Sequence, residues 1–229
     1  MLNTDYTYII CHKIKEPLLY DKWKKWLTNN SIKGEIFFYK WGDELSDKDI
    51  DFHVKRDGLL EKIFPFRKEY PLRNSEISLA INFIKIFEDS YNKNFSNILI
   101  LESDAILHPN FFDKVNNILN KVSNNEWDCI SLGFGVGLRL QNQGFEYLAP
   151  VNRFRCTDSL LFNKSAIDYY YHNLKKVSLP IDEEFTLSVQ MNKKSVYWLD
   201  PPIVVQSSQM AGGESSIQLG NPWDLKLPW

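Results

Sequence analysis

Short apolar runs rich in strand formers alternate along this chain with longer segments whose apolar residues recur at three- and four-residue spacing. Residues 6–11 alternate and predict a first strand. Pro17 can open a helix, and Leu19, Trp23, Trp26 and Leu27 continue at helical spacing until Asn29, Asn30 and Gly34. Residues 35–41 read as a second strand. Residues 42–73 are polar and broken by Gly58, Pro65 and Pro71, which predicts a long excursion holding one short helical piece. Long loops inside a compact domain often serve as lids. Asn74 or Ser75 is a capping residue for the next helix, whose apolar face is Ile77, Ala80, Ile81, Ile84 and Phe87, through Asp89. A buried strand is predicted at 97–101. Pro109 then opens a helix with Phe112, Val115, Leu119 and Val122 on one side, and residues 127–132 form another buried strand. Strand and helix in alternation predict an α/β sheet with parallel neighbours.

Past Gly133 the pattern loosens. Residues 145–148 and 154–162 read as strands, 164–174 and 182–191 as helices, and 195–199 as a short strand stopped by Pro201-Pro202. Tyr169-Tyr170-Tyr171 reads as packing. The tail from Ser207 is loop-like. Neither an internal repeat nor a clean linker is visible, which predicts a single domain over 1–229.

The chemistry of interest lies at 97–105, Asn-Ile-Leu-Ile-Leu-Glu-Ser-Asp-Ala. An apolar run ends in two carboxylates one residue apart. If the backbone stays extended, alternate side chains point the same way and Glu102 and Asp104 converge. Hard oxygen ligands at an open strand end suit Mg2+ or Mn2+, ions that keep positions for phosphate oxygens. In open α/β sheets ligands sit outside the carboxyl ends of the strands. Two solvated acids in a strand exit are the plainer account. In Pro180-Ile181-Asp182-Glu183-Glu184, Asp182 can accept a proton from a nucleophilic hydroxyl. Acids at a helix start also cap it and complement its dipole, and Glu183 and Glu184 read as plain first-turn acids.

Other motifs fall away. The glycines at 133, 135 and 137 open no clear helix and no GKS or GKT follows, so a phosphate loop is rejected. His12 and His108 follow predicted strands but read as solvated loop histidines. Lys85 and Arg73 read as outer-face charges. GxSxG is absent.

Composition narrows the class. The 229 residues are 44% hydrophobic and 24% charged, enough for a packed core. A formal net charge of -2 leaves no footprint for nucleic acid. No run approaches the ~18 apolar residues of a membrane span, and residues 6–11 are too short for a signal peptide. Cys11, Cys129 and Cys156 are far apart without CxxC spacing, which predicts free thiols in a reducing, cytoplasmic compartment.

Several segments in order resemble the family 25 glycosyltransferases, the group of lipopolysaccharide galactosyl- and glucosyltransferases and collagen galactosyltransferases. The family's Gly-Glu-Ile-Gly helix corresponds to Asn74-Ser75-Glu76-Ile77-Ser78, and its Leu-Ile-Leu-Glu-Asp-Asp-Ala signature to residues 99–105. Its downstream Pro and Phe match Pro109 and Phe111 or Phe112. Its Trp-Asp strand matches Trp127-Asp128 through Gly133, its Pro-x-Asp matches Pro180-Ile181-Asp182, and its Pro-Pro-Ile-Val-x-Gln matches residues 201–206. A late serine–isoleucine element matches Ser216-Ile217. The likeness spans roughly 74–217. Three departures stand out: Ser103 replaces the middle acid, Asn82-Phe83 stands where a Ser-His pair is usual, and the opening segment lacks an arginine-rich start.

The resemblance implies a GT-A type α/β fold, a mostly parallel twisted sheet flanked by helices. It implies Mn2+ or Mg2+ and transfer of a galactose or glucose from a nucleotide sugar, UDP-hexose above all, with inversion. Asp104 would bind the ion with Glu102, Ser103 would line the donor site, and Asp182 would be the general base. Gln206 or water is left for a further ligand. The acceptor is a glycan, a lipid-linked glycan or a protein hydroxyl. Two rivals remain: a catalytically silent binder of nucleotide sugar or of a partner, and a nucleotidyltransferase. The second lacks the expected glycine-rich basic loop, since residues 12–17 have lysines but no glycine.

Overall fold

A computed structural model describes residues 2–65, 72–122, 126–133, 147–154 and 156–209. Its elements in chain order are β1 (Tyr6–Ile10), α1 (Pro17–Asn29), β2 (Gly34–Phe37), α2 (Asp47–His53), α3 (Leu59–Ile63), α4 (Asn74–Asn92), β3 (Asn97–Glu102) and β4 (Ala105–Leu107). They continue with α5 (Phe111–Lys121), β5 (Cys129–Ser131), β6 (Tyr147–Val151), β7 (Ser159–Asn163), α6 (Lys164–Asn173), α7 (Ile181–Asn192), β8 (Val196–Asp200) and β9 (Val204–Gln206).

Seven strands form one sheet in the order β2-β1-β3-β7-β5-β8-β6, and β4 pairs with β9 in a small second sheet. β1 is parallel to both β2 and β3, and β5 is parallel to β8. β7 runs against β3 and β5, and β6 against β8. Most of the strands therefore share one direction, and the predicted α/β architecture with a mostly parallel sheet holds.

The two-residue period of the strands sorts their side chains onto two faces. Ile98 and Ile100 of β3 and Tyr8 and Ile10 of β1 meet α4, α6 and α7 in one core. Leu99, Leu101, Ile9 and Cys11 meet α1 and α5 in the other. Burial on both faces explains why β3 reads as a continuous apolar run.

The differences from expectation have local causes. The second strand stops at Phe37 instead of running to 41, because the next backbone groups bond to α4: Tyr39 N donates to Asn82 Oδ1 (2.8 Å), and Ser78 Oγ donates to Lys40 O (2.6 Å). The described residues of the excursion hold two helices and a 3₁₀ turn over Gly42–Glu44, more than the one helical piece expected. A capping box explains the first helix: Ser46 Oγ accepts from Asp49 N, and the Asp49 carboxylate accepts from Ser46 N. In the predicted strand 154–162 only Ser159 onward is β structure. Cys156 sits in the left-handed region (φ 60°), which breaks an extended run. α4 starts at Asn74 with Arg73 as its cap residue, and α5 starts two residues after Pro109.

The three cysteines are free thiols. Tyr170 is packed in the core, and Tyr171 stacks on Tyr91, as packing predicts. The glycines at 135 and 137, the strand start at 145–146 and Ser216-Ile217 lie outside the described residues. No helix among the described residues is long and apolar enough to cross a membrane.

Candidate active site

The chain runs from β1 to β2 on one side, then returns through α4 to β3 on the other side of β1. That reversal opens a crevice between the carboxyl ends of β1 and β3, the place where α/β sheets receive ligands. Glu102 is the last residue of β3 and pairs with Ile10, the last of β1. A pocket opens there, lined by Ile10, Glu16, Phe38, Trp41, Asn82, Glu102 and Ser103 among others.

Glu102 and Asp104 are neighbours, but not by extended alternation. The strand ends at Glu102, and Ser103-Asp104 form a tight turn into β4. The turn is pinned from outside: Ser207 N donates to Asp104 O (2.9 Å), and Ser208 N reaches Asp104 Oδ2 at 3.4 Å. Glu102 accepts hydrogen bonds from Thr157 Oγ1 and from Gln206 Nε2, the latter at 3.3 Å. β9 delivers that glutamine because Gln206 pairs with Ala105 across the small sheet. The structure thus brings Gln206 to the acid pair, as an amide donor to Glu102.

Burial pushes the Glu102 carboxyl up to about 8, with the nearby charge of Asp104 adding to it and those of Asp158 and Asp182 contributing less; the Thr157 hydroxyl opposes them. Asp182, in the first turn of α7, therefore faces the same cluster. Burial raises its pKa too, against hydrogen bonds from backbone N–H groups at 183, 182 and 156. The acids at 102, 104, 158 and 182 form one electrostatic unit. None of the ion pairs among the described residues includes Glu102 or Asp104. Lys22 feels the charge of Asp104, which raises its pKa while burial lowers it; its Nζ donates to Ala105 O (3.0 Å).

Ser103 lines the pocket with its hydroxyl proton engaged. Its Oγ donates to Glu16 Oε1 (2.5 Å), and its carbonyl accepts from Trp23 Nε1 (2.7 Å). Glu16 Oε2 in turn accepts from His12 N (2.8 Å), and His12 Nδ1 accepts from Ile14 N and Lys15 N. His12 is therefore a buried organiser of the loop after β1, not a solvated side chain. Glu184 is likewise more than a first-turn acid: its Oε1 accepts from Ser178 N and Leu179 N and ties down the loop before α7. Lys85 pairs with Glu88, as an outer-face charge should.

Sequence reading missed Asp158, Thr157, Glu16 and Glu76. Asp158 is fully buried, and its carbonyl accepts from Glu102 N (3.0 Å). Gly133 lies against it so closely that a Cβ there would come within 2.0 Å of Asp158 Oδ1. Thr157 follows the left-handed Cys156, a backbone cost of about 1 kcal/mol or more of the kind that gathers at functional sites. Glu76, buried in the first turn of α4, adds its charge to the upward shift of Asp182. Asn82, a departure from the family pattern, holds the 38–41 segment against the pocket. Among the described residues no three His, Cys, Asp or Glu side chains are gathered as a metal-holding group.

The shift of Glu102 carries a sign. Its folded pKa lies above the unfolded value of 4.5, so the folded state holds more protons between about pH 4.5 and about pH 8 and loses stability as pH rises through that window. Glu102→Gln, which retains an oxygen for the Thr157 hydroxyl, is expected to gain melting temperature relative to wild type as pH goes from 5 to 8. A difference between the two proteins that stays constant with pH would contradict the shift.

No protein-family profile and no curated protein matches this chain. Family 25 membership therefore remains a resemblance. Among the solved structures that match this chain are three at low identity. Protein A197 from STIV matches at 13% identity over 87% of this chain and 82% of the other, TM-score 0.44. A glycosyltransferase involved in the glycosylation of the major capsid of PBCV-1 matches at 11% identity over 91% and 96%, TM-score 0.46. The inositol-1-phosphate CTP transferase from T. maritima matches at 8% identity over 98% and 92%, TM-score 0.37. At scores below 0.5 these likenesses assign no chemistry to this chain.

Proposed function

We propose that this protein is a divalent-metal-dependent glycosyltransferase that moves a hexose from a nucleoside diphosphate sugar to an acceptor hydroxyl with inversion. The observation that carries the reading is the Glu102/Asp104 acid pair at the carboxyl end of β3, within electrostatic reach of Asp158 and Asp182 and in no described ion pair, beside a pocket with aromatic walls.

A cation fits this donor set. Glu102 and Asp104 are hard ligands, and Mg2+ or Mn2+ is commonly held by one or two carboxylates with substrate phosphates completing its sphere. Two protein carboxylates without a third ligand suit that pattern. When bound, the ion would supply Lewis acidity toward the departing diphosphate. The chain's own residues do the rest. Phe38 and Trp41, stacked on each other at 5.5 Å, form an apolar wall suited to a nucleoside. Gln206 and Thr157 orient Glu102. Asp182, made more basic by burial, takes the proton of the acceptor hydroxyl as its oxygen bonds to the anomeric carbon and the bond to diphosphate breaks.

The test is a thermal-shift and calorimetry series with nucleotide sugars, each with and without Mn2+. A true donor raises the melting temperature by linkage, and only with the ion present. Free nucleotide should then accumulate over an acceptor panel. Stabilisation without turnover on any acceptor would favour the silent binder, and no stabilisation by any nucleotide sugar would sink the reading.

A further inference from the structure

Among the described residues, exposed large apolar side chains such as Phe52 on α2 and Met191 on α7 are scattered and need no explanation. Ile14 and Leu18 are different. They are 81% and 84% exposed, four residues apart, on the loop and first turn that follow β1. Leu18 and Lys25 share the outer face of α1 by their spacing, away from the buried Trp23, whereas Lys22 turns its head over the Trp23 ring. Lys13, Lys15 and Lys24 flank them.

Residues 13–25 hold five lysines and two acids, in a chain with 27 basic and 29 acidic residues. Of those acids Glu16 is turned inward to Ser103 and His12, and only Asp21 remains on the outer face. Lys15 pairs with Asp43 and Lys22 bonds Ala105 O, which leaves Lys13, Lys24 and Lys25 as the outward charges of the segment that carries the two apolar tips. An apolar knuckle on a lysine-rich segment of a net acidic chain matches the interface of an anionic bilayer, where apolar tips enter the headgroup boundary and lysines meet the surface potential.

We infer that the Ile14–Leu18 knuckle docks this protein onto anionic lipid membranes. The knuckle is rigidly tied to the strand-end site. Glu16, Lys22 and Trp23 each bond to the turn at Ser103–Ala105. Docking therefore sets the acid cluster at the headgroup layer. Resting on the glycosyltransferase reading, this selects the lipid-linked class among its acceptors.

The experiment is co-sedimentation of the full chain with vesicles of phosphatidylcholine alone and of phosphatidylcholine mixed with phosphatidylglycerol, at low and high salt. The expected result is binding to the mixed vesicles only, weakened by salt. An Ile14→Asp, Leu18→Asp double variant should bind about tenfold or more weakly. Both positions are exposed, so its melting temperature should match wild type. Failure of the wild-type chain to bind, equal binding to both vesicles, or undiminished binding by the double variant overturns the inference. So does light scattering that shows a dimer converted to monomer by the double variant, since a second copy then covers the knuckle. The assay uses no donor or acceptor, so its outcome is separate from that of the transferase reading.

Discussion

Asp104→Asn should fold normally and lose about 10²–10³-fold in nucleotide release from its donor with Mn2+ present. Asparagine keeps the shape of the side chain and an oxygen for Ser208 N, and the turn is also held through the backbone by Ser207 N. What disappears is the charge. In this site that charge is the second-largest contributor to the raised pKa of Glu102, after burial. The variant should therefore show a Glu102 that ionises more readily, a protein somewhat more stable near pH 8, and much weaker Mn2+ binding by calorimetry. Unchanged turnover in a folded Asp104→Asn protein would remove the acid pair from the mechanism. Loss of turnover with full retention of Mn2+ affinity would place Asp104's contribution somewhere other than the ion.

The largest stability effect is expected at Phe185. Its side chain is fully buried. Its ring lies 4.9 Å from Tyr170, 5.2 Å from Phe154, 5.4 Å from Phe83, 5.6 Å from Phe162 and 6.2 Å from Phe87. These partners come from α4, α6, β7 and the segment after β6, so one ring joins most of one face of the sheet. Truncation to alanine loses the transfer free energy and leaves a cavity that five rigid neighbours cannot collapse into, a cost of about 3–5 kcal/mol. Chemical denaturation should show it as a shifted midpoint with a similar slope. Phe52→Ala, at a side chain 67% exposed, should change stability by no more than about 0.5 kcal/mol. Phe185 lies one helical turn after Asp182, so its loss should also loosen the proposed base. A cost near that of Phe52→Ala would mean that α7 is not packed as described.

The elements whose signals are local are legible in the order of residues alone. Strand β3 shows as an unbroken apolar run because both of its faces are buried, β1 shows by its alternation and strand formers, and α1, α4 and α5 show because their apolar residues keep helical spacing. The pair Glu102/Asp104 is visible for the same reason, an abrupt change from apolar to charged at a strand's end. Where fold and sequence pattern part, a distant partner intervenes. Residues 38–41 carry strand-forming side chains, yet Asn82 and Ser78 on α4 take their backbone groups. Three-residue pieces such as β4 and β9 are too short to carry a period and exist because they pair with each other. The partner of the Ser103 hydroxyl is Glu16, 87 positions earlier, a pairing that no local pattern shows.

By itself the chain order of apolar and polar residues determined the α/β class, the helical faces and the strand that carries the acids, since these depend on neighbours within a few residues. Only the tertiary structure decided the rest: that β7 enters between β3 and β5, that Asp158 and Asp182 join Glu102 and Asp104, and that Ile14 and Leu18 remain uncovered. Those facts depend on which surfaces meet across tens of residues, and charge coupling and burial act through space whatever the separation along the chain.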